Sequence, residues 1–215
     1  MGEEVGRGKL VDFQKRRLRQ LEEENASLKA YTAEMVARVR ENEALYRKLF
    51  ALEAEALAAA DAESACFAVL RGLRARFALD FVRLWLIRGG MLAGVTLEAI
   101  SERDVVWIEA EELAAMGIGA QRPVRLLQPK KVADFPWAVP EVEGLGSLAV
   151  VCLGDPAQAV GALGLGSVER ERFAPGLATD FLEHLGRVVG LVLAHSAARA
   201  RVAMLSVRDP ATGLY

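Results

Sequence analysis

From Lys9 to Arg71 the chain contains neither glycine nor proline, the two residues that most strongly interrupt a helix. Leu, Ala, Glu and Arg dominate this stretch, so it predicts a long amino-terminal helix. Val11, Leu18, Asn25, Thr32, Val39 and Tyr46 recur at every seventh position. Gln14, Leu21, Leu28, Met35, Asn42 and Leu49 follow them three residues later. This is the a/d heptad pattern of a coiled coil. A helix of ~60 residues at ~1.5 Å each would extend about 90 Å and cannot bury such a stripe on itself. The expected partner is a second copy in a parallel homodimer, its seam formed by Val11, Leu18, Leu21, Asn25, Leu28, Met35, Val39, Tyr46 and Leu49. A buried amide at Asn25 would cost stability but fix register and favour two strands. The alternative is a surface helix lying along its own domain with Asn25 exposed. Leu45 and Leu52, each one residue before an a position, widen the stripe toward its end, where the helix is expected to meet more than one neighbour.

Composition bounds the rest. The chain has 215 residues, with 27 Lys and Arg against 29 Asp and Glu, a net charge of −2. That balance argues against a protein that grips phosphate backbones. The basic cluster Lys15-Arg16-Arg17 with Arg19 is followed at once by Glu22-Glu23-Glu24, which sets opposite charges at helical spacings; no nucleic-acid partner is expected. At 53% hydrophobic and 26% charged residues the chain can fill a sizeable core. Its longest apolar runs, near 148–153 and 188–194, fall far short of the ~20 residues of a membrane span. Met1-Gly2-Glu3-Glu4 carries no apolar signal core, so a cytoplasmic location away from membranes is expected. Cys66 and Cys152 stand far apart, in the pattern of neither a disulfide framework nor a zinc site.

Asp61 reads as a cap or break, followed by a second amphipathic stretch through Cys66, Val69, Leu70, Leu73 and Phe77. Phe81–Arg88 favours a strand, and Gly89-Gly90 after it signals a two-residue hairpin. The segment 97–112 is ambiguous, with Val105–Ile108 reading as a short strand and Glu111–Met116 as a helical turn. Pro123–Leu127 reads as another strand and 128–144 as a loop. Ser147–Leu153 and Val160–Gly166, separated by Gly154-Asp155-Pro156, form a clearer pair of strands, apolar on both faces and therefore covered on both sides. From Gly176 to Val207 the chain is helical again. The simplest packing is an α+β domain: an antiparallel sheet with the terminal helices on one face.

Certain residues carry a resemblance. Gly164-Leu165-Gly166-Ser167, then Arg172–Gly176 and the helix after it, resemble the last strand and terminal helix of GAF domains. Val11-Asp12-Phe13-Gln14, the Asn-bearing coiled coil, Glu41–Leu45, Gly146–Ala149, Thr179–Leu182 and Leu185-Gly186 are more closely similar to a bacterial GAF-like family catalogued as a domain of unknown function. The resemblance covers most of residues 10–195. It implies a division into an amino-terminal coiled-coil helix (1–60), a GAF-like domain (61–195) and a carboxyl-terminal signalling helix (196–215). Asp209–Tyr215 resembles the opening of a GGDEF (diguanylate cyclase) domain, with Ala211 in place of the usual Leu; a solvated Asp-Pro turn is the plainer reading. If the resemblance holds, the chain is the input half of a longer signalling protein and cannot itself make cyclic di-GMP.

GAF pockets lie on the sheet face away from the terminal helices. The resemblance therefore nominates Arg83, Trp85 and Ile87, which alternate on one strand, with Trp107 and Trp137 joining them from the segment that follows. The alternative makes Trp85 and Ile87 ordinary core and pairs Arg83 with a carboxylate. Gly161-x-x-Gly164-x-Gly166 lies inside a strand with no Lys-Ser/Thr after it, so it makes no phosphate loop. His184 and His195, eleven apart on one helix, cannot share a metal. No catalytic residues and no metal site are expected, and no cofactor is specified. The leading expectation is a sensory or regulatory module that couples a small-molecule ligand or a partner to a downstream output. The alternatives are a dimerisation scaffold without ligand and, from another class, a thiol-based reductase.

Overall fold

Helix α1 spans Gly2–Leu57, most of it within the run of helix formers that begins at Lys9. The computed structural model describes residues 2–128 and 144–207, with side chains placed for residues 16–128 and 144–203. The chain divides into two units, Met1–Arg47 and Lys48–Tyr215. In the first, α1 exposes its heptad stripe: Leu18 is 58% exposed and Leu28 65%, with Leu21, Met35, Val39 and Tyr46 also open. The side chain of Val11 lies outside the described residues.

Leu49 departs from the expected seam. It is fully buried, with Leu52 and Ala56, in the core of the second unit. The heptad period marks the face of α1 that needs covering but not what covers it. At Leu49 the chain's own globular unit does so, and no second copy can reach that side chain.

Helix α2 occupies Ala62–Phe77. Asp61 caps it from an extended conformation, its Oδ1 accepting the Ser64 amide at 2.7 Å. That hydrogen bond holds the Asp61 carboxyl below its ordinary 3.8. The cap therefore keeps its full strength above the carboxylate range and loses it as acid protonates the group. At the other end Ala78 takes a left-handed conformation, φ 46°, and Arg172 donates to the carbonyls of Phe77 and Ala78. An arginine thus satisfies the last acceptors of α2 from far along the chain.

The sheet comprises β1 (Phe81–Ile87), β2 (Val105–Ile108), β3 (Val124–Leu127), β4 (Ser147–Leu153) and β5 (Gly161–Ser167), in the order β2-β1-β5-β4-β3. It is mixed, which corrects the antiparallel expectation: β2 runs parallel to β1, pairing Trp85 with Val106 and Leu86 with Trp107. Gly89-Gly90 closes no hairpin. Both glycines take positive φ, but the chain then enters a 3-10 turn at Gly90–Leu92 that buries Leu92. It returns to β1 only after a crossover, which a parallel neighbour requires. The other pairings are antiparallel, with β4 and β5 in register from Ser147↔Ser167 to Leu153↔Gly161.

Both faces of this sheet are covered. On one, α2, α4 (Asp180–Val207) and the last turns of α1 pack against Leu84, Leu86, Val151 and Leu163 in the larger core. On the other, Trp85, Leu148, Val150 and Ala162 form a second cluster with Leu113, Met116, Ile118 and Leu145. Leu113 belongs to the short helix α3 (Ala110–Ala115). Among the described residues no helix is long and apolar enough to cross a membrane.

Candidate functional site

Alternation along β1 sends Arg83, Trp85 and Ile87 to the face turned away from α2 and α4. Trp85 is 2% exposed and lies across Gly164 of β5, where an added Cβ would sit 2.6 Å from the ring. Phe81 stands beside it, with ring centroids 6.4 Å apart and planes tilted by 44°. Ile87 is half-buried at the end of the strand, in line with Ile108 of β2.

Arg83 is buried. Its Nε donates to the carbonyl of Arg103 at 2.5 Å, and its guanidinium lies 5.5 Å from the centre of the Phe81 ring. Its described hydrogen bond goes to a carbonyl in the connection before β2. Asp104, the next residue along, is engaged by Arg74, which also donates to the Val82 carbonyl at 2.9 Å.

The pairing register sets Arg83, Gly164, Val150 and Arg125 in one row across four strands. Arg125 is the member that sequence reasoning missed. Its Nη1 donates to the Met116 carbonyl at 2.8 Å, holding the turn after α3 over the second cluster. Both arginines thus fasten a connecting segment to the sheet. The only sequence signal for Arg125 was its place in the apolar alternation Val124–Leu127.

Trp107 does not join this face. Paired with Leu86, it points to the helix side and packs against the larger core. Trp137 lies outside the described residues. Arg83, Trp85 and Ile87 therefore share one face without Trp107, and the described part of that face is filled by side chains. Another concave surface, about 580 Å³, lies between α2 and residues 99–104, where Phe67 and Ile100 flank Arg71.

Both thiols are free and buried. Burial pushes Cys66 up from an ordinary 9.0 to about 12, with Glu63 and Asp61 adding to the shift. Burial, then Asp155, raises Cys152 to about 11. The unfolded chain ionises near 9.0 while the folded thiols stay protonated. The thiols therefore leave stability unchanged below that pH, and stability falls as pH rises from about 9 through the folded values. At pH 8 a thiol reagent is expected to label both cysteines only as fast as the chain unfolds. Labelling of either thiol within seconds in native buffer, with full reaction in denaturant as the reference, would overturn this.

The sheet order and the helical layer define a GAF-like fold. The structure is similar to the GAF domain of a phosphoenolpyruvate-protein phosphotransferase from Coxiella burnetii, at 18% identity and a TM-score of 0.51, over 75% of this chain and 96% of that one. The chain belongs to the family described as protein of unknown function DUF484, whose model matches residues 4–197. Two further solved structures are similar at lower scores. One is free methionine-R-sulfoxide reductase from Neisseria meningitidis (16% identity, TM-score 0.49, 73% of this chain and 91% of that one). The other is a bacteriophytochrome from R. palustris (14% identity, TM-score 0.47, 76% of this chain), of whose length the match spans 40%. No curated protein matches the chain. The family match stops at residue 197, and Asp209–Tyr215, which resembles a GGDEF opening, lies outside the described residues.

Proposed function

We propose that this chain is a sensory or regulatory module that pairs through its helices and couples binding of a ligand or partner to a downstream output. The observation that carries this reading is the way α1 and α4 are anchored. The last turns of α1 and the middle of α4 contribute Leu49, Leu52, Leu193 and Ala197 to one core over the same sheet. Glu53 of α1 meets His184 of α4 at 3.3 Å, and Arg199 of α4 donates to the Ala59 carbonyl just after α1 at 2.8 Å. A ligand that prefers one arrangement of the sheet would shift the population of helix positions with it. The resemblance at Asp209–Tyr215 makes a diguanylate cyclase the output of choice.

The filled sheet face favours a second reading, a dimerisation scaffold without ligand. Thermal unfolding of the full chain in the presence of nucleotides and small metabolites separates the two. A specific ligand at a hundredfold its Kd is expected to stabilise the chain by about 3 kcal/mol, a rise in Tm of roughly 5–10 °C. If no compound shifts Tm, the scaffold reading stands in its place.

A further inference from the structure

We propose that the partner of α1 is a second copy of this chain, aligned parallel and in register, and that the charges flanking the seam select it. This rests on the paired-module reading above and specifies its partner and geometry. The stripe of α1 from Leu18 to Tyr46 stands open in the first unit. In a parallel in-register pair, each residue just before an a position meets the residue five further on in the other copy. That rule brings Arg17 to Glu22, Glu24 to Lys29 and Arg38 to Glu43, always across the two copies. Between Arg17 and Glu43 every charged flank meets its opposite, and none meets a like charge.

Tyr31 and Val36 make the remaining flank of this stretch, apolar against apolar and both exposed in the single chain. The seam between them is compatible with the same alignment. Thr32 donates its hydroxyl to the Leu28 carbonyl at 2.8 Å, so its hydrogen bond is made within the helix. Asn25 at an a position meets Asn25 of the other copy only when the two helices are parallel and unshifted, and amide pairs of this kind fix register. Arg17 donates to Gln20 at 3.3 Å and Glu43 lies 3.7 Å from Arg47 along the same helix, with the Glu43 side chain still 63% exposed. Arg38 touches Glu34 at 2.6 Å along its own helix and is still 69% exposed.

Two full-length variants test the alignment. One reverses the flank before the a positions (Arg17→Glu, Glu24→Lys, Arg38→Glu). The other reverses the flank after the d positions (Glu22→Lys, Lys29→Glu, Glu43→Lys). By sedimentation velocity each variant alone is expected to self-associate at least about tenfold more weakly than the unaltered chain. An equimolar mixture is expected to recover one-to-one pairing, because each reversed flank then faces its complement. Recovery also excludes loss of helix as the cause, since the mixture contains the same altered helices. In an antiparallel pair each flank meets its own kind, so both variants would associate as tightly as the unaltered chain, and that result would overturn the alignment while leaving a paired module. Failure of the mixture to recover would overturn it too. An unaltered chain that sediments as a single copy at micromolar concentration would overturn the pairing itself, and with it the coupling proposed above.

Discussion

Gly190→Ala is expected to destabilise the globular unit by about 3 kcal/mol or more, although the same exchange in an open helix stabilises by about 1 kcal/mol. The sign reverses because of what α4 lies on. An added Cβ at Gly190 would sit 2.0 Å from the amide nitrogen of Gly154 and 2.5 Å from its Cα. Both are backbone atoms, so no side chain can rotate out of the way. One turn earlier Gly186 meets the Cys152 carbonyl in the same manner, and its own carbonyl accepts the Gly154 amide at 3.0 Å. Helix α4 is keyed onto the end of β4 at these two points. An alanine there must lift the helix by more than 1 Å and loosen Leu185, Val189, Val192 and Leu193 together. Urea unfolding monitored by tryptophan fluorescence gives the measurement, with Ala198→Gly at a half-buried position of α4 as a control expected to lose the propensity difference of about 1 kcal/mol. A Gly190→Ala chain as stable as the unaltered one would mean that α4 is not seated on β4. It would then be a poor lever for anything sensed at the sheet.

The same contacts explain which parts of the fold were legible beforehand. β4 and β5 were plain, because two apolar runs separated by Gly154-Asp155-Pro156 have little choice but to pair and be covered on both sides. At Gly146-Ser147, Gly164 and Gly186 the motifs behind the family resemblance are packing devices. Gly146 sits where a Cβ would lie 2.2 Å from the Val168 carbonyl, and Ser147 donates to the Glu169 carbonyl at 2.5 Å while accepting the Phe173 amide at 3.2 Å. Such residues mark the fold and reveal no chemistry. The place of β2 was illegible for a different reason. Gly89-Gly90 is compatible locally with a hairpin, and only the burial of Leu92 under α4 and the pairing of Val105–Ile108 with β1 decide against it. That pairing then fixes the side to which Trp107 points, which no local pattern could do. Leu49 shows the same limit from the other direction, since period identifies an apolar face without identifying its cover.

Trp85→Ala is expected to cost about 4 kcal/mol, in the range for deleting a fully buried aromatic side chain. The ring is 2% exposed, rests on Gly164 and leans toward Phe81, so its removal leaves a void among apolar neighbours instead of a surface that water can fill. A void of that kind stays dry and takes up apolar rings. Added indole is therefore expected to return part of the lost stability to the variant and to leave the unaltered chain unchanged. The measurement bears directly on function, because the two readings assign Trp85 opposite roles. In a scaffold with a closed core the ring is structural filling, the loss is large, and indole repairs it. In a sensor whose pocket opens on this face, the ring lines a space that a ligand enters. Truncation would then cost about 1 kcal/mol or less and would abolish the Tm shift produced by that ligand. A large loss repaired by indole would move any ligand site off this face, toward the groove beside Phe67 and Arg71.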